Sequence, residues 1–282
     1  MKPQLLVLLL LLVCISCSPK KQEQPTTTKG LIVRSDFKKY FDSCSATGTI
    51  AIYDYAKQQW VVSDTVGLYL QTLPASTFKI INLLIALETK TIADENEVAQ
   101  WVGSIDTAKY GVRPEIYHTM SVKEAFELSA GWVFVELAKK IGRETYKKYL
   151  TECHYGNGNL SEEGADFWNF GPFAISPKNQ VEFLRALYEE KLPFSKRNID
   201  IVKRVMVTGQ SADYILRSKT GWSRIQDTNM GWWVGYIEIG KAPYFFATRL
   251  IQDRKLGRKD FGNCRKDITW KVFKDLGIIQ EQ

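Results

Sequence analysis

"LPASTFKIINLLIALE", Leu73 to Glu88, decides how this chain is read. After Lys79 nearly every residue is apolar until Glu88, which predicts a helix buried on almost all sides. Pro74 stands where such a helix begins, and the apolar run is longer than a buried strand needs. Ser76 and Lys79 sit three residues apart at its mouth, so they share a helix face and their polar ends can meet. Serine becomes a nucleophile when a neighbouring base takes its proton. A lysine with its ordinary pKa of about 10.4 is a poor base, but burial can bring that value down by as much as ~3–5 pH units. Ser76 is therefore the candidate nucleophile and Lys79 a lysine placed to be neutral.

Working outward, "TGTIAIYD" (Thr47 to Asp54) and "QWVVSD" (Gln59 to Asp64) are short β-rich runs separated by a polar break, and predict an antiparallel pair. From about Thr89 to Gln210 the pattern turns helical, in "SVKEAFELS", "GWVFVELAKKIGRETYKKYL" and "SPKNQVEFLRALYEEKL". In the last of these Ser176 is the expected N-cap and Pro177 the first helical residue. Aromatic-rich strands return from Tyr214 in "YILRSKTGWS", "MGWWVGYIEIG" and "PYFFATRLI", and "RKDITWKVFKDLGII" predicts a terminal helix. Strands at both ends of the chain with helices between them argue for an α/β (α+β) domain. Its antiparallel sheet, flanked by helices, is built from about 31–75 and 211–282, with an inserted mostly helical region at about 76–210.

The 282 residues are 45% hydrophobic and 24% charged, as in an ordinary globular protein with a substantial core. The net charge of +7 is scattered among acids. The densest basic stretch, Asp253 to Lys266, is interrupted by aspartates and reads mostly as a solvated loop; no nucleic-acid motif accompanies it. Residues 1–17, "MKPQLLVLLLLLVCISC", have an early lysine and an apolar run too short for a permanent membrane helix, and read as an export signal. "CISC" resembles a bacterial lipoprotein box in which Cys17 would be acylated, although Cys14 departs from that box and leaves ordinary signal cleavage open. Residues 18–30 are polar and Pro/Thr-rich, as a flexible tether would be, and 31–282 form the domain. Cys44, Cys153 and Cys264 allow at most one bridge, and the spacing does not say which. With only His118 and His154 as histidines and no paired cysteines, no metal site is expected.

Ser-x-x-Lys alone is common; a late Lys-Thr-Gly at Lys219, Thr220 and Gly221, within a predicted strand, changes its meaning. Together, in this order, they are the serine penicillin-recognising signature. With "STFK", Ser129 in "LSAGWVF", "YGN" at Tyr155 to Asn157, Trp168 in "FWNFGPFAIS", "KTG" and "GWWVGY", the chain resembles the class D β-lactamases, the oxacillinase type, from about Phe37 to Ile279. That resemblance implies a penicillin-recognising serine transferase/β-lactamase-like fold and hydrolysis of the β-lactam amide of penicillin-type antibiotics through a Ser76 acyl-enzyme. It implies that Lys79 is N-carboxylated by CO2 or bicarbonate and acts as general base, with no metal or organic cofactor. Trp168 would donate its indole N–H to the carbamate. Ser129, assisted by Lys219, would pass a proton to the leaving nitrogen. Backbone N–H groups of Ser76 and Trp222 would form the oxyanion hole, with the helix N-terminus adding its dipole. Thr220, Gly221 and Arg265 would hold the substrate carboxylate, while "YGN" supports a loop.

Two positions leave the pattern of that family. Ser129-Ala130-Gly131 stands where Ser-x-Val is usual, and Asn169 follows the tryptophan where leucine is usual. Those apolar side chains cover the carbamate in the family. Here the pocket is expected to be wetter, unless the neighbouring Trp132 fills the gap. Two other readings stay open. One is a penicillin-sensing receptor domain that acylates without turnover, against which a cleavable leader rather than a multi-helix membrane region argues. The other is a penicillin-binding transpeptidase or carboxypeptidase, whose middle motif Ser-x-Asn Gly131 does not match. The expected partner is a β-lactam, with no nucleic acid and membrane contact only through a lipid on Cys17; drug range and oligomeric state are not legible.

Overall fold

The computed structural model describes residues 26–28, 30–240 and 242–280; the leader, Cys14, Cys17 and most of the expected tether lie outside them. Strands β1 (Thr26–Thr28) and β2 (Leu31–Val33) precede helix α1 (Lys38–Asp42), the hairpin β3 (Thr47–Asp54) and β4 (Gln59–Val62), and α2 (Thr65–Tyr69). A 3-10 turn, Ala75–Phe78, runs directly into α3 (Lys79–Glu88). The inserted region holds a ribbon of β5 (Val98–Ala99) and β6 (Met120–Ser121), with α4 (Thr107–Tyr110) between them. It continues through α5 (Val122–Glu127), α6 (Gly131–Ile141), α7 (Arg143–Glu152), α8 (Phe167–Phe170), α9 (Pro177–Tyr188) and α10 (Lys196–Val205). Strands β7 (Val207–Gln210), β8 (Tyr214–Ile225), β9 (Thr228–Ile239) and β10 (Ala242–Asp253) then lead to α11 (Phe261–Asp275).

The main sheet has eight strands in the order β1-β2-β4-β3-β10-β9-β8-β7, antiparallel except for β2 on β4. Register pairs such as Ala51↔Ala247 close it by setting the N-terminal hairpin against the C-terminal meander. Alternation along β9 and β10 explains the layers. Trp232, Val234, Tyr236, Phe245 and Ala247 face the core under the inserted helices, while Trp233, Ile237, Phe246 and Leu250 face α1 and α11. Each apolar face is thus covered by its own helical layer.

The expected elements differ in four places. The run from Gly131 to Leu150 is two helices, broken at Gly142, whose φ of 81° ends α6. The inserted region is not wholly helical, since it carries the β5–β6 ribbon and gives Val207–Gln210 to the sheet edge. Thr26–Thr28, read as tether, pairs with β2, threonine being a good strand residue. The basic stretch after Asp253 is loop only in its first half, because Phe261 and Cys264 bury themselves and draw the second half into α11. Ser176 caps α9 as expected, accepting from the Asn179 N–H with Pro177 next in line.

Candidate active site

The 3-10 turn Ala75–Phe78, running into α3, brings Ser76 and Lys79 together. Lys79 Nζ lies 2.8 Å from Ser76 Oγ and 5.3 Å from the Phe134 ring centre. Residues Ile80 to Leu87 bury every face of α3, and Lys79 itself is 1% exposed. Burial, and then the charge of Arg113, lower the lysine pKa to about 7. A neutral amine next to a hydroxyl is a base next to a nucleophile.

Strand β8 forms the facing wall. Lys219 Nζ donates to Ser129 Oγ at 3.1 Å and to the Thr220 carbonyl at 3.1 Å, and burial followed by the charge of Lys79 holds its pKa well below the ordinary lysine value. Gly221 is where the two walls meet: a Cβ there would stand 2.8 Å from the Pro74 carbonyl and 3.1 Å from Thr77 Cγ2. No larger residue fits. On the other side of β8, Arg265 in α11 donates to the Gly221 carbonyl at 2.5 Å and lies 5.9 Å from the Trp222 ring. Burial brings its pKa down to about 10, so its charge is retained at neutral pH in a poorly solvated place. Trp222 is 38% exposed at the rim.

Trp168 packs against the turn that carries Ser76. It is 1% exposed, stacks on Phe78 with centroids 4.8 Å apart, and its indole N–H has no partner among the described residues. A buried donor without an acceptor is rare. Trp132 does not enter the space beside Gly131. Its Nε1 donates to the Ile116 carbonyl and its ring meets Trp101 edge-on, while a Cβ on Gly131 would find nothing within 4 Å. In "YGN", the Gly156 N–H donates to Asn179 Oδ1 and Asn157 clips the loop at Pro172 and Ala174, so the motif braces the chain ahead of α9.

Three features escaped the sequence reading. Arg113 donates to the carbonyls of Leu128 and Ser129, pairs with Glu115, and adds positive charge beside both lysines. Nothing in its local sequence marks it. Ala75 and Ser129 hold φ of 49° and 58°, a conformation non-glycine residues adopt at a cost and found at active sites. The bridge is Cys44–Cys264, leaving Cys153 buried and free. Among the described residues no His/Cys/Asp/Glu group could hold a metal ion, and no helix is long and apolar enough to cross a membrane.

This fold and this double Ser/Lys pairing define a penicillin-recognising serine protein. The family described as the penicillin binding protein transpeptidase domain matches residues 47–275. The chain belongs to the class D, OXA-type β-lactamases and is a serine β-lactamase. It is 35% identical to β-lactamase OXA-10 of Pseudomonas aeruginosa over 248 residues, 87% of this chain and 90% of that protein. A class D β-lactamase from Sebaldella termitidis superposes with a TM-score of 0.82 at 40% identity, covering 87% of this chain and 97% of the other. The class D enzyme FUS-1 (OXA-85) of Fusobacterium nucleatum gives 0.80 at 29% identity, over 88% and 100%.

Proposed function

We propose that the chain hydrolyses penicillin-type β-lactams through an acyl-enzyme on Ser76. The observation that carries this reading is the buried Lys79 amine, its pKa brought down to about 7 by burial, 2.8 Å from Ser76 Oγ. Lys79 takes the Ser76 proton as Oγ attacks the lactam carbonyl, and the backbone N–H groups of Ser76 and Trp222 receive the oxyanion. Ser129 gives its hydroxyl proton to the ring nitrogen as the C–N bond breaks and takes a proton back from Lys219, which donates to its Oγ. Thr220, Gly221 and Arg265 hold the substrate carboxylate, Arg265 as a buried guanidinium that strengthens a charged pair.

N-carboxylation of Lys79 by CO2 or bicarbonate fits the residues present. With its pKa at about 7, a substantial fraction of the amine is unprotonated at neutral pH, as that addition requires, and the unpaired Trp168 N–H is a donor suited to a buried anion. When present, the carboxyl group supplies an oxygen base for acylation and for activating the hydrolytic water. The chain is read as exported, in keeping with Cys44–Cys264, with acylation at Cys17 as its membrane tether.

Nitrocefin in large excess tests the reading. Sustained turnover is expected, with mass spectrometry finding a slow β-lactam on the peptide that contains Ser76 and nothing in Ser76→Ala. A single stoichiometric burst would instead mark a sensor or transpeptidase, and an adduct on another residue would remove Ser76 from its role.

A further inference from the structure

One row of the sheet grips the chain that enters Ser76. Thr49, Arg249, Trp232 and Gly221 are successive register partners across β3, β10, β9 and β8, and cross-strand partners point to the same face. Each meets the next part of the incoming segment. Thr49 Oγ1 donates to the carboxylate of Asp64, which caps α2. Arg249 Nη1 donates to the Leu70 carbonyl at 2.5 Å, where α2 ends. Trp232 Nε1 donates to the Leu73 carbonyl at 2.9 Å, and Gly221 admits the Pro74 carbonyl. From the opposite side, Thr72 exchanges both backbone hydrogen bonds with Ile175.

Arg249 is the odd member of this row. It is 2% exposed, forms no ion pair among the described residues, and leaves its Nε without a partner. Burial lowers its pKa to about 10, against the favourable charge of Asp64, so it stays cationic at neutral pH. The Trp232 ring lies 5.9 Å from the guanidinium. Burying a charge without a paired carboxylate is costly, and an apolar residue of that volume commonly serves stability as well or better. The guanidinium must therefore be judged by what it holds.

We propose that Arg249 is a positioning residue for acylation: by fixing the Leu70 carbonyl it holds the Leu70–Ala75 segment in the register that sets Ser76 Oγ against Lys79. The left-handed Ala75, at φ 49°, needs such a frame, because strained backbone persists only where its surroundings over-determine it. The inference rests on Ser76 as the nucleophile, and a wild-type chain that forms no Ser76 adduct would overturn that reading before this one is reached.

The test is stopped-flow acylation and deacylation by nitrocefin at saturating bicarbonate, with thermal melts, on Arg249→Met, Arg249→Lys and Trp232→Phe. Misplacing a reacting atom by about 1 Å can cost ~100-fold, so Arg249→Met should slow acylation by about tenfold or more while deacylation stays within about twofold. Arg249→Lys, which keeps a donor and the charge, should recover most of that loss. Trp232→Phe, which removes the N–H that holds Leu73 along with part of the ring, should slow the same step. A folded Arg249→Met with wild-type acylation, or a loss confined to deacylation, overturns the proposal. Should Arg249→Met not fold, wild-type acylation in Trp232→Phe, or an Arg249→Lys that slows deacylation rather than acylation, overturns it equally.

Discussion

Lys79 combines the least solvated amine in the site with the closest contact to the nucleophile, and the two facts have one consequence for pH. Its folded pKa of about 7 lies below its ordinary value of 10.5, with burial the larger cause and Arg113 the second. Between those two values the unfolded chain binds the proton and the folded chain does not, so stability from this group rises with pH across the window. Below about 7 both states are protonated and the burial penalty is fully present. Lys79→Met should therefore be inactive yet melt no lower than wild type at neutral pH, with its advantage shrinking as the pH approaches about 10. Melting curves across that range check this, and a variant less stable throughout would show that the charge is solvated some other way. Bicarbonate should raise the wild-type melting temperature, by linkage to the folded state, and leave Lys79→Met unmoved. On the activity side, turnover should fall as the pH drops through about 7 and be partly restored by added bicarbonate.

Two short stretches, the start of α6 and the single turn of α8, carry Gly131 and Asn169, which stand where the family has an apolar roof. Gly131 and Phe134 are three residues apart on one face of α6, and Phe134 is the ring nearest Lys79 Nζ. Space beside Gly131 is empty and Trp132 is engaged with Ile116 and Trp101, so the gap is not filled from within α6. Asn169, half-buried next to Trp168, puts a polar group at the second of these positions. A wetter pocket would support the proton transfer that expels carbon dioxide. Gly131→Val with Asn169→Leu should lower the bicarbonate concentration for half-maximal activity and alter deacylation more than acylation. Single-turnover kinetics across a bicarbonate titration separate the two, and a folded double variant with neither change would mean that the roof is already dry. The helix under Ser76 was legible because seven of the eight residues from Ile80 to Leu87 are apolar, and the strands because "MGWWVGYIEIG" and "PYFFATRLI" are aromatic-rich runs of strand length. The direction of Trp132 was not, since its partner Ile116 lies in an irregular segment with no periodic signal. Arg113, Ala75 and the backbone of Ser129 were invisible for a related reason: their roles are set by long-range packing and by φ, neither of which leaves a local pattern.

Across the whole molecule, the sheet joins residues near the two ends of the chain, and one covalent link follows the same route. Thr47 at the start of β3 pairs with Ile251 near the end of β10, which sets Cys44 against Cys264 on α11 with Cα atoms 6.1 Å apart. Three cysteines allow three pairings, and only this long-range strand register selects among them. The bridge spans 220 residues, so in the chain-entropy view it restricts the unfolded state strongly, and a typical contribution is about 2–4 kcal/mol. Cys153 does not compete for it, because burial pushes that thiol up to about 12 and leaves almost no thiolate at neutral pH. Cys264 also immediately precedes Arg265, so the link anchors the turn of α11 that presents the guanidinium to Gly221. Cys44→Ser with Cys264→Ser should lower the melting temperature by roughly 5–10 °C for a chain of this size. The Ser76–Lys79 pair sits in the 3-10 turn Ala75–Phe78 and the start of α3 and should keep its acylation rate within about twofold, whereas KM for carboxylate-bearing substrates should rise as Arg265 loosens. Melts and steady-state kinetics with and without reductant measure both effects; an unchanged melting temperature would mean the bridge adds no stability, and an unchanged KM that Arg265 is held by Gly221 and Trp222 alone.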